Sequence, residues 1–163
     1  MTGQFVREDV SFTSQGETCR GWYYRPLDDV AKRPAVVLAG GWCYVREIVM
    51  PTYAESLAAA GVGALVFDYR NLGTSDGEDR QHLDPTAQIS DYQSALTYLE
   101  SRVDVDADRL GVWGISYSGG HALILAAVDE RVRAIVSIVP SLTGIGTCVE
   151  FTAPSGSGSS GNA

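Results

Sequence analysis

Residues 5–13, FVREDVSFT, mix apolar and polar positions in near alternation, SQGE supplies a turn, and CRGWYYRP resumes with strand-favouring aromatics. The chain therefore opens on a predicted antiparallel hairpin. The next apolar run is different. AVVLAG, residues 35–40, is apolar throughout, as a strand covered on both faces must be. VGALVFDY (62–69), RLGVWGIS (109–116) and VRAIVSIV (132–139) repeat that pattern. Helical patterns separate them. Pro51 is placed to open a helix in which Tyr53, Ala54, Leu57 and Ala58 share a face before Gly61 stops it. Asp84 and Pro85 read as cap and first residue of a second helix, with Ile89, Tyr92, Ala95, Leu96 and Leu99 at helical spacing. YSGGHALILAAV (117–128) supplies a third. Buried strands alternating with helices imply βαβ crossovers. The expected fold class is α/β, a three-layer sandwich on a mostly parallel sheet with an N-terminal antiparallel hairpin, in one domain over residues 1–140.

Residues 141–163, SLTGIGTCVEFTAPSGSGSSGNA, break the rhythm with a single charged residue, Glu150, and an end made almost wholly of Ser and Gly. This Gly/Ser-rich tail is expected to carry no packed structure. It is the kind of break that a slip of reading frame near residue 140 leaves behind.

Composition narrows the function classes. With 45% hydrophobic and 20% charged residues, the chain of 163 residues falls in the globular range and at one-domain length. Twelve Lys and Arg against 20 Asp and Glu leave a net charge of −8, with the basic residues scattered. Such a surface repels phosphate, so neither nucleic acid nor an anionic membrane is expected as a partner. No apolar run reaches the roughly 18 residues of a membrane span, and MTGQFVREDV is charged where a signal peptide is apolar. A cytoplasmic location is expected. Cys19, Cys43 and Cys148 are widely spaced and outside any CxxC pair, so no disulfide framework and no metal site are expected.

The chemistry concentrates in Gly114-Ile115-Ser116-Tyr117-Ser118-Gly119-Gly120, between a predicted strand and a predicted helix. A serine on a sharp strand-to-helix turn projects its hydroxyl above the sheet, and the turn brings backbones so close that small residues must flank it. Gly114 and Ser118 are those residues, with Gly119 behind them. Ser116 is the candidate nucleophile. The helix N-terminus points at it, and the backbone N–H of Tyr117 is a candidate oxyanion donor.

In these residues, together with AVVLAGG, ALVFDYRNLGTSDG and DRLGVWGISYSGG in that order, residues 4–140 resemble the α/β-hydrolase superfamily. GISYSGGHAL is similar to the branch of dienelactone hydrolase-like esterases and X-prolyl dipeptidyl peptidase-like acyl hydrolases. The resemblance implies an eight-stranded sheet, a Ser-His-acid triad, no cofactor, and a small-molecule carboxylic ester as substrate, with a peptide or amide as the lesser alternative. It also implies a second oxyanion donor from Gly40-Gly41-Trp42-Cys43, where the N–H groups of Trp42 and Cys43 are the candidates. The family commonly has His-Gly where this chain has Gly40-Gly41, which removes a side chain that braces the loop. Trp42 reads either as the wall of an acyl pocket or as a surface aromatic over the sheet edge.

The superfamily's order is Ser, then acid, then His, and the chain is expected to stop before the last two, an apparent truncation. His82 precedes a helix. His121 lies five residues past Ser116, about 140° around the helix from it. Both read as structural, as does Asp68. Missing triad partners leave a second hypothesis open, a non-catalytic binding module on a hydrolase scaffold. Finally, AIVSIV within Val132–Val139 has no charge to protect a sheet edge, so a homodimer through this strand, or poor solubility, is expected.

Overall fold

A computed structural model describes residues 4–142 of the chain. Strands β1 (Phe5–Ser14) and β2 (Glu17–Pro26) form the hairpin, in register from Phe5 opposite Pro26 to Ser14 opposite Glu17. Only Gln15 and Gly16 turn the chain, both at positive φ (48° and 94°). This tight connection matches the twist of the strands. β3 (Arg33–Ala39), β4 (Gly63–Phe67), β5 (Val105–Ile115) and β6 (Val132–Ile138) follow, with α1 (Met50–Ala59), α2 (Pro85–Ser101) and α3 (Tyr117–Val128) between them. The sheet order is β1-β2-β4-β3-β5-β6. β2 runs antiparallel to β4, whereas β3, β4, β5 and β6 are mutually parallel.

The apolar runs lack alternation because both faces of the central strands are covered. Val37, Leu65, Phe67 and Val112 pack with Tyr92, Ala95, Leu96 and Leu99 of α2 and with Ala122 and Leu125 of α3. Leu38, Ala64, Val66 and Trp113 point the other way, onto Met50, Ala54 and Ala58 of α1. Three layers result, two helices on one face and one on the other. Asp84 caps α2 by accepting from the N–H groups of Thr86 and Ala87, ahead of Pro85.

Some boundaries differ from the sequence pattern. α1 begins at Met50, with Pro51 in its second position and Val49 entering at φ 67°. β5 extends back through the polar Asp106-Ala107-Asp108-Arg109, because Val105 pairs with Arg33 across an irregularity in the ladder. β6, whose uncharged AIVSIV run is expected to leave a sheet edge open, is an edge strand among the described residues, with Ile135 and Val136 40% and 45% exposed. Of the tail, all but Ser141 and Leu142 lies outside the described residues, as does Cys148. Among the described residues no helix is long and apolar enough to cross a membrane.

The parallel strands carry their C-terminal ends to one edge of the sheet. There the loop 40–49 after β3, the loop 68–84 after β4 and the N-terminus of α3 meet, the place where open α/β sheets build their sites.

Candidate active site

Ser116 is the one residue between the end of β5 and the start of α3, at φ 56° and ψ −113°. A non-glycine residue so placed stores strain on the order of 1–3 kcal/mol and persists only where its surroundings hold it. They do so through the backbone. The Ser116 N–H donates to Ile138 O at 2.9 Å, and its carbonyl accepts from Gly120 N at 3.3 Å and Ser141 N at 2.9 Å. The flanking small residues have no room to be larger. A Cβ on Gly114 collides with the Ser118 carbonyl, and one on Gly119 lies 3.1 Å from Ile138 O and 3.2 Å from Pro140 Cα.

The loop after β3 comes directly against this turn. A Cβ on Gly41 lies 3.2 Å from Ile115 O and 3.3 Å from the Ser116 Cβ. Tyr44 N donates to Gly41 O at 3.1 Å, closing a turn with Trp42 and Cys43 at its centre, Cys43 at φ 57°. The Trp42 ring meets the Tyr117 ring edge-on at 4.9 Å. Trp42 thus stands beside the turn at Ser116 while staying 43% exposed. The structure gathers Ser116, Tyr117, Gly114, Ser118, Gly119, Gly41 and Trp42 in one place. Cys43 follows on the same loop, exposed and not joined to Cys19, whereas the thiol of Cys19 is buried and pushed far up by desolvation. Gly40 stands where the family commonly has His, and a side chain there runs into the Cβ of Tyr44.

Bracing of the loop comes from Arg46, which the sequence pattern does not single out. Its backbone N–H donates to Asp68 Oδ1 at 2.7 Å and its guanidinium to Asp68 Oδ2 at 3.1 Å and Thr74 Oγ1 at 2.7 Å. The guanidinium also lies 4.6 Å over the Trp22 ring. Thr74 N–H adds a bond to Asp68 at 3.1 Å, and the Ser75 hydroxyl donates to the Asp68 carbonyl at 2.6 Å. Gly73, at φ 50°, presses its Cα so close to the carboxylate that no side chain fits. Burial pushes the Asp68 carboxyl up, against the N–H groups of Arg46 and Thr74 and the guanidinium charge. Asp68 is a loop clamp, as its place in the FDYR turn suggests.

Both histidines are engaged away from Ser116. His121 is buried, its Nε2 2.9 Å from the buried Gln88 Oε1, and its ring meets Tyr117 edge-on at 4.6 Å. Desolvation lowers its pKa to about 4, so it is neutral at pH 7. His82 sits exposed, 3.6 Å from Asp79. Beside Tyr117 and His121 a mainly apolar cavity of about 290 Å³ opens between the N-termini of α2 and α3, lined also by Pro85, Ile124 and Leu142. The assembled features are a half-buried serine on a strained turn, a helix that starts from it, a glycine loop in contact with it and an apolar hollow beside the next residue, Tyr117.

Comparison with known proteins agrees with this geometry. A family model described as X-Pro dipeptidyl-peptidase (S15 family) matches residues 22–149. The chain is 40% identical over 136 residues to the quorum-quenching protein AidA of Acinetobacter baumannii, covering 83% of this chain and 44% of that protein. It is 44% identical over 110 residues to the thiohydrolase aneE of Aspergillus aculeatus, covering 68% of this chain and 35% of that one. The crystal structure of the α/β hydrolase GrgF from Penicillium sp. sh18 superposes with a TM-score of 0.77 at 31% identity, over 83% of this chain and 46% of that chain. The chain spans less than half the length of these relatives.

Proposed function

The chain belongs to the X-Pro dipeptidyl-peptidase (S15) family, and on that premise we propose that it carries the nucleophile of a serine hydrolase that cleaves small carboxylic esters through an acyl-enzyme on Ser116. The observation that carries this is the strained turn at Ser116, φ 56° and ψ −113°, with the glycine loop in van der Waals reach of the serine. Strain at such a turn is worth maintaining where the hydroxyl has to stand clear of the sheet.

In this mechanism the Ser116 Oγ attacks the carbonyl carbon and its proton passes to a histidine. The carbonyl oxygen becomes an oxyanion between the N–H of Tyr117 and an N–H of Trp42 or Cys43. Collapse expels the alcohol, which takes the proton back, and water then releases the acid from the serine by the same steps in reverse. His121 is held by burial against Gln88 and His82 is exposed beside Asp79, so neither is assigned as the histidine of this mechanism. No step calls for a cofactor. A thioester fits the same site, because a thiolate leaves more readily than an alkoxide, and the thiohydrolase relative supports that extension. A peptide bond, named in the family description, asks more of the histidine, since the amine must be protonated to leave. A cytoplasmic setting belongs to this reading, in keeping with Cys19 and Cys43 not being joined to each other.

A fluorophosphonate probe and short p-nitrophenyl esters test this, with Ser116→Ala as control. Labelling at Ser116, lost in the variant, is expected. The engagement of both histidines elsewhere favours one other reading, a binding module on a hydrolase scaffold; folded wild-type protein that takes no label and hydrolyses ester no faster than Ser116→Ala would establish it.

A further inference from the structure

Ser118 is fully buried in the first turn of α3, two residues after the nucleophile. The close approach of Gly114 to Ser118 is to its backbone carbonyl and calls for no hydroxyl on the Ser118 side chain. The hydroxyl is nevertheless fully used. Its oxygen accepts from the Ile115 N–H at 2.9 Å, and it donates to Ala39 O at 2.7 Å, with Ile115 O also within 3.0 Å. Ala39 is the last residue of β3, and the glycine loop begins at the next residue. Ile115 is the last residue of β5, and Ser116 begins at the next. The pairing of β3 with β5 ends at Ala39 opposite Gly114. Beyond that pair, the Ser118 side chain carries the connection on, between the root of the oxyanion loop and the root of the nucleophile turn.

The two sides of Ser116 are thus held by different means. Toward β6, its own backbone bonds to Ile138 and Ser141. Toward β3, a side-chain hydroxyl forms the tie. Below it a second buried hydroxyl, that of Tyr92, donates to Trp113 O at 2.6 Å and fastens α2 to the same end of β5. We infer that Ser118 is a positioning residue, whose hydroxyl sets the spacing between the Ser116 nucleophile and the loop Gly41–Cys43 that faces it. This rests on the reading of Ser116 as nucleophile for its consequence, while the mechanical tie is testable without it.

The test compares the wild-type chain with Ser118→Ala, which keeps the backbone and removes only the hydroxyl. Two readouts are taken on each: amide hydrogen exchange resolved to segments, and fluorophosphonate labelling separated into reversible affinity and maximal rate. Loss of one buried tie of this kind changes such equilibria and rates by roughly tenfold. The expected result is exchange about tenfold faster in segments 40–44 and 115–117 and unchanged in the β1–β2 hairpin. Labelling is expected at unchanged affinity with a maximal rate about tenfold lower. Exchange in both segments as slow as in the wild type overturns the inference. So does a uniform rise across the whole molecule, which makes Ser118 a residue of the fold alone. If the wild type takes no label yet Ser118→Ala loosens those two segments, the nucleophile reading fails and the tie stands.

Discussion

Gly41 lies against Ser116 so closely that a methyl group on its Cα stands 3.3 Å from the serine Cβ and 3.9 Å from its Oγ. Gly41 is not at positive φ, so alanine suits the backbone there and the conflict is purely one of space. The loop must retreat by a few tenths of an ångström, taking the Trp42 and Cys43 N–H groups with it. Small displacements of groups aimed at a transition state are costly in rate. Gly41→Ala is expected to slow fluorophosphonate labelling and ester cleavage by roughly tenfold or more, while unfolding in urea shifts by no more than about 2 kcal/mol. Equal rates for the two proteins would show that this approach has no bearing on reactivity.

The clamp that holds the same loop is Arg46 on Asp68, a carboxylate with no solvent exposure paired to a guanidinium whose side chain is 11% exposed. Removing one partner of such a pair strands the other, at about 3–5 kcal/mol. Asp68→Ala leaves the N–H groups of Arg46 and Thr74 and the guanidinium without their acceptor, so it is expected to lower stability by about 3 kcal/mol in urea titrations at an unchanged m-value. Labelling of Ser116 is expected to fall as well, since the loop 40–49 loses its anchor. A variant as stable as the wild type would mean that water replaces the carboxylate at this site.

These two relationships differ in how far they could be read from the chain. The four apolar runs are legible because a strand covered on both faces cannot alternate, and the spacing Gly114-x-Ser116-x-Ser118 is legible because a tight strand-to-helix turn tolerates only small neighbours. The order of elements follows from these alone. Arg46 leaves no such trace. It is one arginine in a loop without periodicity, and its partner lies 22 residues away on another strand end. The polar start of β5 leaves no apolar trace for a related reason, since Asp106-Ala107-Asp108-Arg109 lies in the irregularity between the Val105 and Leu110 pairings and is largely exposed. The hydroxyl of Ser118 is hidden behind its size: smallness explains the residue, and only coordinates reveal Ile115 and Ala39 on either side. The open edge of β6 is legible in its AIVSIV run without a charge, whereas the exposure of Ile135 and Val136 is not, because an apolar pattern reports what a strand can tolerate and not what covers it.

His121 couples stability to pH. Its pKa falls from 6.5 to about 4 on folding, through desolvation, so the unfolded chain binds a proton that the folded one excludes. Stability from this group is fully present above pH 6.5, declines as the pH falls below it, and reaches its floor near pH 4. The whole difference amounts to about 3 kcal/mol. In His121→Gln no titration remains at this position, and the amide can still face Gln88. Urea midpoints measured from pH 7.5 to 4.5 are expected to drop steeply for the wild type and less for His121→Gln. Parallel curves for the two would show that His121 keeps its ordinary pKa in the folded protein.

Among the described residues β6 is bonded to β5 along one side and forms the free edge of the sheet on the other. Ala134, Ile135 and Val136 in its centre are exposed, and no charge lies between Arg133 and the end of the strand. A free edge of this composition is a template for backbone pairing with another strand, and a charge inside it is the usual means of preventing that. A second copy presents the same edge with the same unpaired groups, so the 163-residue chain is expected to self-associate through β6. Lysine at Val136, 45% exposed, places a charge in the pairing edge without opening the core. Light scattering at tens of micromolar is expected to give dimers or larger species for the wild type and a shift toward monomer for Val136→Lys. A wild-type monomer at that concentration, with β6 amides exchanging as fast as those of open loops, would show that water satisfies the edge and that no copy is drawn to it.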